Sequence, residues 1–566
     1  MQAPPGTIAR PRELLLISLA GVFLAIVMTW PLAARIGSQG RTDPNDADGQ
    51  FSIWNVSWVA RTIVVDPLHV FDANIYAPHK RTLAYSEANL LPGALGVLPY
   101  WLTRNPWLTL NVVLLIAFAS SFVCAYLLLA YLTDSRAAAA AGAVIYACCP
   151  YVMSHLSHIQ LLFVGGIPLS LYMLHRLADS FSVASTFRWT VRRGAALGLA
   201  LAAQGLCCAY YGVFAGLIVG YATLVLAGTR GLWKSAGYWK AIAVAAATSI
   251  VIMIPVLVPF LRVQQETGFE RTVADTARWS ARWPVDYLTS AAHAHASLLA
   301  YSRTLGPYLE VLFPGFIAVV LGAAGIFVTL RRSPATSGRD RETALLYGTL
   351  GLLALWSSFG PRAGLYRILY YLPTFSFLRA PSRLGLVVTL CLVVFAAAAI
   401  RALLSAVPAR MRTAIGALAA IAAVADVAVF PVRWANAPAI PPAYDTLTHR
   451  TRATIAEFPF YADRIAFPLH AQYMLFSTSH WLPMVNGYSD VIPLDFREAA
   501  PVLDSFPSRE AFAVLARRRV RYIAVHWDMY VDRKDEIRRR LEPYLQNLNA
   551  LAGDDRMTIY EVLKYP

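Results

Sequence analysis

Three carboxylates, Asp43, Asp46 and Asp48, fall within six residues of a polar stretch that follows the first long apolar run. Two carboxylates separated by one residue can chelate a divalent cation, or divide the work of a general base and its orienting partner. A plainer reading fits the same residues: a solvated turn in which Asp48 caps a helix starting at Gly49. A second group is His155 and His158 beside Gln160. Their spacing predicts one helical face, where two imidazoles bind a metal or orient a hydroxyl. No HExxH pattern and no nearby third ligand accompany them. Arg379 and Arg383 bracket a Pro-containing turn before a later apolar run. Arginines there either snorkel to lipid headgroups or contact a phosphate directly.

These groups must be positioned by elements of unusual composition. The chain has 566 residues, 57% of them apolar and 14% charged, with a mean hydropathy of +0.50. Soluble domains carry about a quarter charged residues, which excludes that class. The apolar residues gather in runs of helix-spanning length. Eleven spans are expected: Leu14–Leu32, Leu108–Leu132, Ala137–Cys149, Leu161–His175, Gly194–Cys208, Tyr211–Leu226, Ala241–Leu261, Glu310–Leu330, Leu345–Phe359, Leu384–Ile400 and Ala414–Phe430. The first is too long for a signal-peptide core and reads as an uncleaved helix.

The net charge of +16 is nearly all arginine, with only five lysines among 49 basic residues. In a soluble protein this would point to nucleic acid; here it marks basic cytoplasmic loops, and no nucleic-acid partner is expected. Alternating sides places Arg136, Arg176 with Arg188, Arg192 and Arg193, Arg230 with Lys234 and Lys240, Arg331 with Arg332, Arg339 and Arg341, and Arg401 with Arg410 and Arg412 inside. The short loops at Cys149–Gln160 and Tyr210–Tyr211 hold no Lys or Arg and fall outside. Gly360–Ser382, with Arg362, Arg367 and Arg379, is an outer loop against that trend.

The N-terminus is therefore expected inside and the C-terminus outside. Residues 1–430 make the membrane domain, with a long first outer loop over 35–107, and residues 431–566 a small extracytoplasmic α/β domain. Long ordered loops are usually functional. In this one, Phe51, Trp54 and Trp58 suit a helix lying at headgroup level, and Asn89–Trp107, broken by Pro92, Gly93 and Pro99, is read as interfacial. Strands are predicted at Arg464–Leu469, Val520–His526 and Met557–Val562, and helices at Tyr444–Phe458, Ser508–Arg517 and Asp535–Gln546. The loop Arg262–Tyr308 carries Glu266, Glu270, Asp275, Arg278, Trp279 and Asp286, which suit sugar binding or a wet loop against headgroups. The six cysteines sit in or at the ends of apolar runs, where core packing is the default and a bridge between Cys148/Cys149 and Cys207/Cys208 the alternative.

At this point the chain resembles bacterial multi-spanning glycosyltransferases of the GT-C class, and a large, mostly uncharacterised group of GT-C-like proteins. The markers are Asp46-Ala-Asp48 followed by Trp54 and Trp58, Ile75-Tyr76-Ala-Pro78-His79, Ser154-His155-Leu-Ser-His158-Ile-Gln160, Ala209-Tyr210-Tyr211-Gly212, Leu378-Arg379-Ala-Pro381-Ser-Arg383 and Trp481-Leu-Pro483-Met-Val-Asn486-Gly487-Tyr488-Ser489. The resemblance implies a polytopic α-helical inner-membrane enzyme that transfers a sugar from a polyprenyl-phosphate donor to a cell-envelope glycan, lipid or protein at the outer face. It implies that an acidic residue of the first outer loop, Asp48 with Asp46 next, is catalytic or binds a divalent cation such as magnesium or manganese. His79, His155, His158, Gln160, Arg379, Arg383, Asn486 and Tyr488 become candidate substrate contacts, Asn486 and Tyr488 through a Gly-containing turn. The tail departs from those of oligosaccharyl- and aminoarabinose transferases.

A competing function is a non-catalytic relative, such as a transporter, flippase or scaffold for envelope glycolipids. Transporters place ionisable residues or broken helices near mid-membrane, whereas here the polar residues gather at the outer mouth. P-loop, Gly-x-Ser-x-Gly and dinucleotide fingerprints are absent, which disfavours nucleotide-sugar donors.

Overall fold

The computed structural model describes residues 11–43, 46–182, 187–331, 338–372, 378–448, 450–463 and 465–566. Arg332 and Arg464, of the expected inner loop and strand, lie outside the described residues. Among those described, seven helices are long and apolar enough to cross a bilayer: Pro11–Met28, Pro106–Thr133, Arg136–Ser154, Ile159–Asp179, Ala209–Thr229, Ala236–Thr267 and Pro381–Ala406. The chain is a membrane protein. Four more of the expected spans are helices of a different character. Phe316–Leu330 is apolar but has 15 residues. Phe187–Cys207, Gly338–Ser358 and Ala409–Val427 begin with charged turns carrying Arg188, Arg192 and Arg193, then Arg339 to Glu342, then Arg410 and Arg412.

The chain divides into two compact units. The first comprises residues 1–34, 114–256 and 270–432, and holds most of the apolar helices. Its helices leave large aliphatic side chains such as Ile250, Val251, Val320 and Leu352 exposed, as a lipid-facing surface requires. Small residues bring helices close. A Cβ on Gly325 would stand 1.8 Å from the Phe395 carbonyl oxygen, so the helices Phe316–Leu330 and Gly385–Ala406 touch backbone to backbone there. Arg230 is paired: it donates to Asp179 at 2.8 Å and to Glu342 at 2.6 Å. This arginine, expected in a solvated inner loop, instead ties three helices together. Asp426 accepts from His295 Nε2 at 2.8 Å and from the Ile317 amide at 3.0 Å, satisfying the start of Phe316–Leu330. None of the six cysteines is in a disulfide, and five of them are buried, so the bridge considered above is not formed.

The second unit comprises residues 35–113, 257–269 and 433–566. A mixed four-stranded sheet runs in the order Thr454–Phe458, Val520–His526, Met557–Val562 and Leu548–Gly553. The first pair is parallel and the other two are antiparallel. Two of the predicted strands stand where expected. Tyr444–Phe458 is corrected: it divides into a 3-10 turn over Pro442–Leu447 and the strand Thr454–Phe458. The β-branched pair Thr454-Ile455 in a run buried from Ile455 to Phe458 favours the strand. Residues expected as a strand to Leu469 form a turn and the 3-10 helix Phe467–Leu469, with Pro468 denying a ladder donor. Ser508 caps Arg509–Arg517, accepting from the Ala511 amide.

The stretch after the first helix folds onto the tail residues of this same unit. Gln39 and Gly40 pair antiparallel with Asn436 and Ala435. The amide of Ala77 donates to Met484 O, that of Tyr76 to Asn486 O, and that of Met484 to Asn74 O, so backbone hydrogen bonds tie the bend at 74–77 to 484–486. This corrects the headgroup-level reading of the aromatics. Trp54 is fully buried and Trp58 is 2% exposed. Trp54 Nε1 donates to Asn74 Oδ1 at 3.0 Å, while the Trp58 ring lies 5.6 Å from that of Trp481. The helical spacing was a core stripe, covered by a partner some 400 residues away in sequence. The interrupted segment forms two short helices, Leu90–Leu95 and Val97–Thr103, with Leu98 and Leu102 exposed.

Candidate functional site

Asp46 and Asp48 receive different positions. Asp46 is the N-cap of the helix Ala47–Val65, its Oδ1 accepting from the Gly49 amide at 3.0 Å. Its Oδ2 lies 3.0 Å from Arg41 Nε. The cap is therefore Asp46, not Asp48 as the alternative reading had it. Asp48 stands in the first turn, half-buried, where the positive end of the helix favours a carboxylate. The Tyr488 hydroxyl donates to Asp48 Oδ1 at 3.0 Å. One turn on, the Phe51 ring packs edge-on against Tyr488 at 6.2 Å. Asp48 and Tyr488, 440 residues apart, thus meet in one unit.

Asn486 lies behind that contact. It is fully buried, and its amide is committed to the Glu457 backbone and to His470. It is therefore corrected from substrate contact to an internal tie. His79 pairs with Asp495 at 2.8 Å, and Asp495 also pairs with Arg518 at 2.8 Å. Arg81 forms an ion pair with Glu266.

The remaining candidates lie in the first unit. His155 ends the short helix Pro150–Ser154 and His158 precedes Ile159–Leu162, so a turn, not one helical face, brings their rings to 5.7 Å. His155 Nδ1 donates to Tyr151 O at 2.7 Å, and Nε2 faces Glu310 Oε1 at 3.3 Å. Burial pulls this imidazole below its ordinary value, against the upward pull of Glu310. Glu310 was read as the start of a span. Pro314 and Gly315 delay that helix to Phe316, and Gly315 takes a φ of 106°. Glu310 consequently sits in a loop, facing His155. A carboxylate at the edge of an apolar run was the signal available for it. Gln160 is half-buried in Ile159–Leu162.

Arg383 lies over the Tyr210 ring at 4.3 Å and Arg379 over Trp279 at 5.0 Å. The Arg379 amide donates to Tyr210 Oη at 2.8 Å. Arg383 Nε is buried and has no hydrogen-bond partner among the described residues. A stacked guanidinium with an unsatisfied donor is poised for an anion. Tyr210 and Trp279 were seen in the sequence only as a motif member and a loop aromatic. Asp275 and Asp286 serve the fold: Asp275 completes a capping box with Thr272, and buried Asp286 accepts from the Arg282 and Leu309 amides.

Among the described residues, no group of three or more His, Cys, Asp or Glu side chains could hold a metal ion. Asp46, with one oxygen on a helix amide and the other on Arg41, is a poor donor for a cation. The residues present do not fit a protein-held metal at this pair.

No protein-family profile and no curated protein matches the chain by sequence. Solved structures do match by fold. An archaeal oligosaccharyltransferase, AglB from Archaeoglobus fulgidus, in complex with an inhibitory peptide and a dolichol-phosphate, aligns with a TM-score of 0.50 at 13% identity, covering 91% of this chain and 69% of that one. An Archaeoglobus fulgidus oligosaccharyltransferase in complex with zinc and sulfate aligns with a TM-score of 0.51 at 14% identity, covering 93% and 69%. The arabinofuranosyltransferase AftD from Mycobacteria aligns with a TM-score of 0.58 at 17% identity, covering 99% of this chain and 42% of that one. The likeness is one of fold, and it is the GT-C fold expected above.

Proposed function

We propose that the chain is a membrane glycosyltransferase that moves a sugar from a polyprenyl-phosphate donor to a cell-envelope acceptor at the outer face of a bacterial inner membrane. In this reading eleven helices span the bilayer, the N-terminus is cytoplasmic and the 431–566 segment lies outside. The observation that carries the proposal is the Asp48–Tyr488 contact: a half-buried carboxylate at a helix start, held by a phenol, in a chain with the fold of lipid-dependent sugar transferases.

In the reaction the acceptor hydroxyl attacks the anomeric carbon and its proton passes to the Asp48 carboxylate. The bond from that carbon to the phosphate oxygen breaks, and its electron pair stays on the lipid phosphate. Tyr488 donates to Asp48 and fixes the carboxylate's orientation. Within the first unit, Arg383 over Tyr210 and Arg379 over Trp279 are the cations suited to a lipid phosphate. His155 acts through Glu310, because its two ring nitrogens already face Tyr151 O and that carboxylate. His79, His158 and Gln160 are assigned to acceptor or donor contacts. No step is routed through a metal.

The test is sugar transfer by the purified protein in proteoliposomes, across a panel of polyprenyl-phosphate-sugar donors. Transfer lost in Asp48→Asn supports the reading. No transfer by the wild type with any donor would favour the scaffold or flippase alternative.

A further inference from the structure

The turn that carries Tyr488 is fixed from behind by a buried chain of polar contacts. Asn486 Oδ1 accepts from the Glu457 amide at 2.8 Å, and Asn486 Nδ2 donates to Glu457 O at 3.0 Å. The same amide nitrogen donates to His470 Nδ1 at 3.1 Å, while His470 Nε2 donates to Tyr461 O at 3.1 Å. These contacts engage both of the amide's N–H groups and its oxygen. They also set the histidine: Nδ1 must be an acceptor and Nε2 must carry the hydrogen, so the ring is neutral. Burial agrees, pulling His470 down to about 4. The carbonyl of Asn486 accepts from the Tyr76 amide at 3.2 Å. At Gly487 a Cβ would stand 2.8 Å from the Tyr76 ring, so only glycine lets the turn lie flat on that ring. The next residue is Tyr488, whose amide points at Met474 Sδ at 3.2 Å and whose hydroxyl reaches Asp48.

We infer that Asn486 is a positioning residue for Asp48, acting through the Gly487–Tyr488 turn, and that the tail strand Thr454–Phe458 thereby sets the geometry of the outer-loop carboxylate. A catalytic part for Asp48 rests on the reading above, but the contact itself does not. The side chain of Asn486 is buried and touches the reacting groups nowhere; its effect passes through the backbone of two residues. An ordinary core asparagine would stabilise the unit without altering the environment of the Tyr488 hydroxyl, and this difference makes the inference testable.

The experiment places 3-fluorotyrosine at position 488 of the full chain and follows its fluorine resonance in detergent. Asp48→Ala defines the resonance of a hydroxyl without its side-chain partner. Asn486→Ser and Gly487→Ala are each expected to move the wild-type resonance toward that position, with unchanged melting of the first unit. Gly487→Ala removes no hydrogen-bonding group, so it decides the matter should Asn486→Ser fail to fold. A wild-type resonance in folded Gly487→Ala or Asn486→Ser would overturn the inference. In proteoliposomes the same variants should lower kcat about tenfold, the size of one lost charge-assisted contact, with KM for the donor unchanged. Absence of transfer in the wild type with the expected fluorine shifts would discard the enzymatic reading and leave the positioning role standing. Raised KM with unchanged kcat would overturn it.

Discussion

Asp46→Ala removes the N-cap of the helix Ala47–Val65 and the partner of Arg41. Loss of a capping carboxylate costs about 1 kcal/mol, within a range of about 0.5–2. The ion pair adds little, because the Arg41 side chain is 37% exposed and solvent screens it; about 0.5 kcal/mol is a fair allowance. Removing negative charge from the helix start adds about 0.3–1 kcal/mol. The total is about 2 kcal/mol, and for a unit of this size about 2–4 °C of melting temperature accompanies each kcal/mol. Asp46→Ala should therefore melt about 4–8 °C below the wild type, whereas Asp46→Asn keeps a good cap and should lose about half as much. Tryptophan fluorescence suits the assay, since Trp54, Trp58 and Trp481 are all buried in this unit. Both variants should retain transfer when assayed below their transitions. Equal melting of the Ala and Asn variants would refute the capping argument. Loss of transfer in a stable Asp46→Asn would show that the base had been assigned to the wrong aspartate.

Arg383→Gln should raise KM for a polyprenyl-phosphate donor by about tenfold or more through loss of a charge-assisted contact, with Arg379→Ala smaller in effect; unchanged kinetics in both would remove the phosphate role. Trp54→Phe keeps most of the packing but leaves Asn74 Oδ1 without its donor in a buried site, so denaturant melts should show a loss of about 1–3 kcal/mol, and no change would contradict the hydrogen bond. His470 and His480 are held neutral by burial at about 4 and about 3, so the unfolded chain takes up protons that the folded one refuses. Stability of the second unit should be full above about pH 6.5 and fall as pH drops toward 4, by up to about 2.7 kcal/mol per pH unit from the two together. A flat profile over that window would show that neither ring is neutral in the fold.

Helices were legible because apolar runs announce themselves by length, and each expected span contains a helix in the structure, though Leu161–His175 is interrupted and Glu310–Leu330 begins only at Phe316. The outer pieces were harder, because their partners lie far away in sequence. Phe51, Trp54 and Trp58 carry the same spacing whether they face headgroups or a protein core, and only the folding of 74–77 beside 484–486 decides between these. Asp46 and Asp48 were equivalent as letters. What separates them is which oxygen meets the Gly49 amide and where Tyr488 arrives, and neither is encoded locally. Arg379 and Arg383 stood out because they broke the charge pattern, while Tyr210 and Trp279, which stack on them, carry no charge to break it. Glu310 was hidden by being counted into a helix that Pro314 and Gly315 postpone.

The most direct measurement of the central claim is sugar transfer by Asp48→Asn in proteoliposomes, beside wild type and Asp46→Asn, from polyprenyl-phosphate-sugar donors. The isosteric change keeps an acceptor oxygen for Tyr488 and removes only the basic charge. The account predicts that kcat falls by about 100-fold to 10,000-fold, as expected for a lost general base, while Asp46→Asn and the fold persist. Full transfer by Asp48→Asn would contradict it.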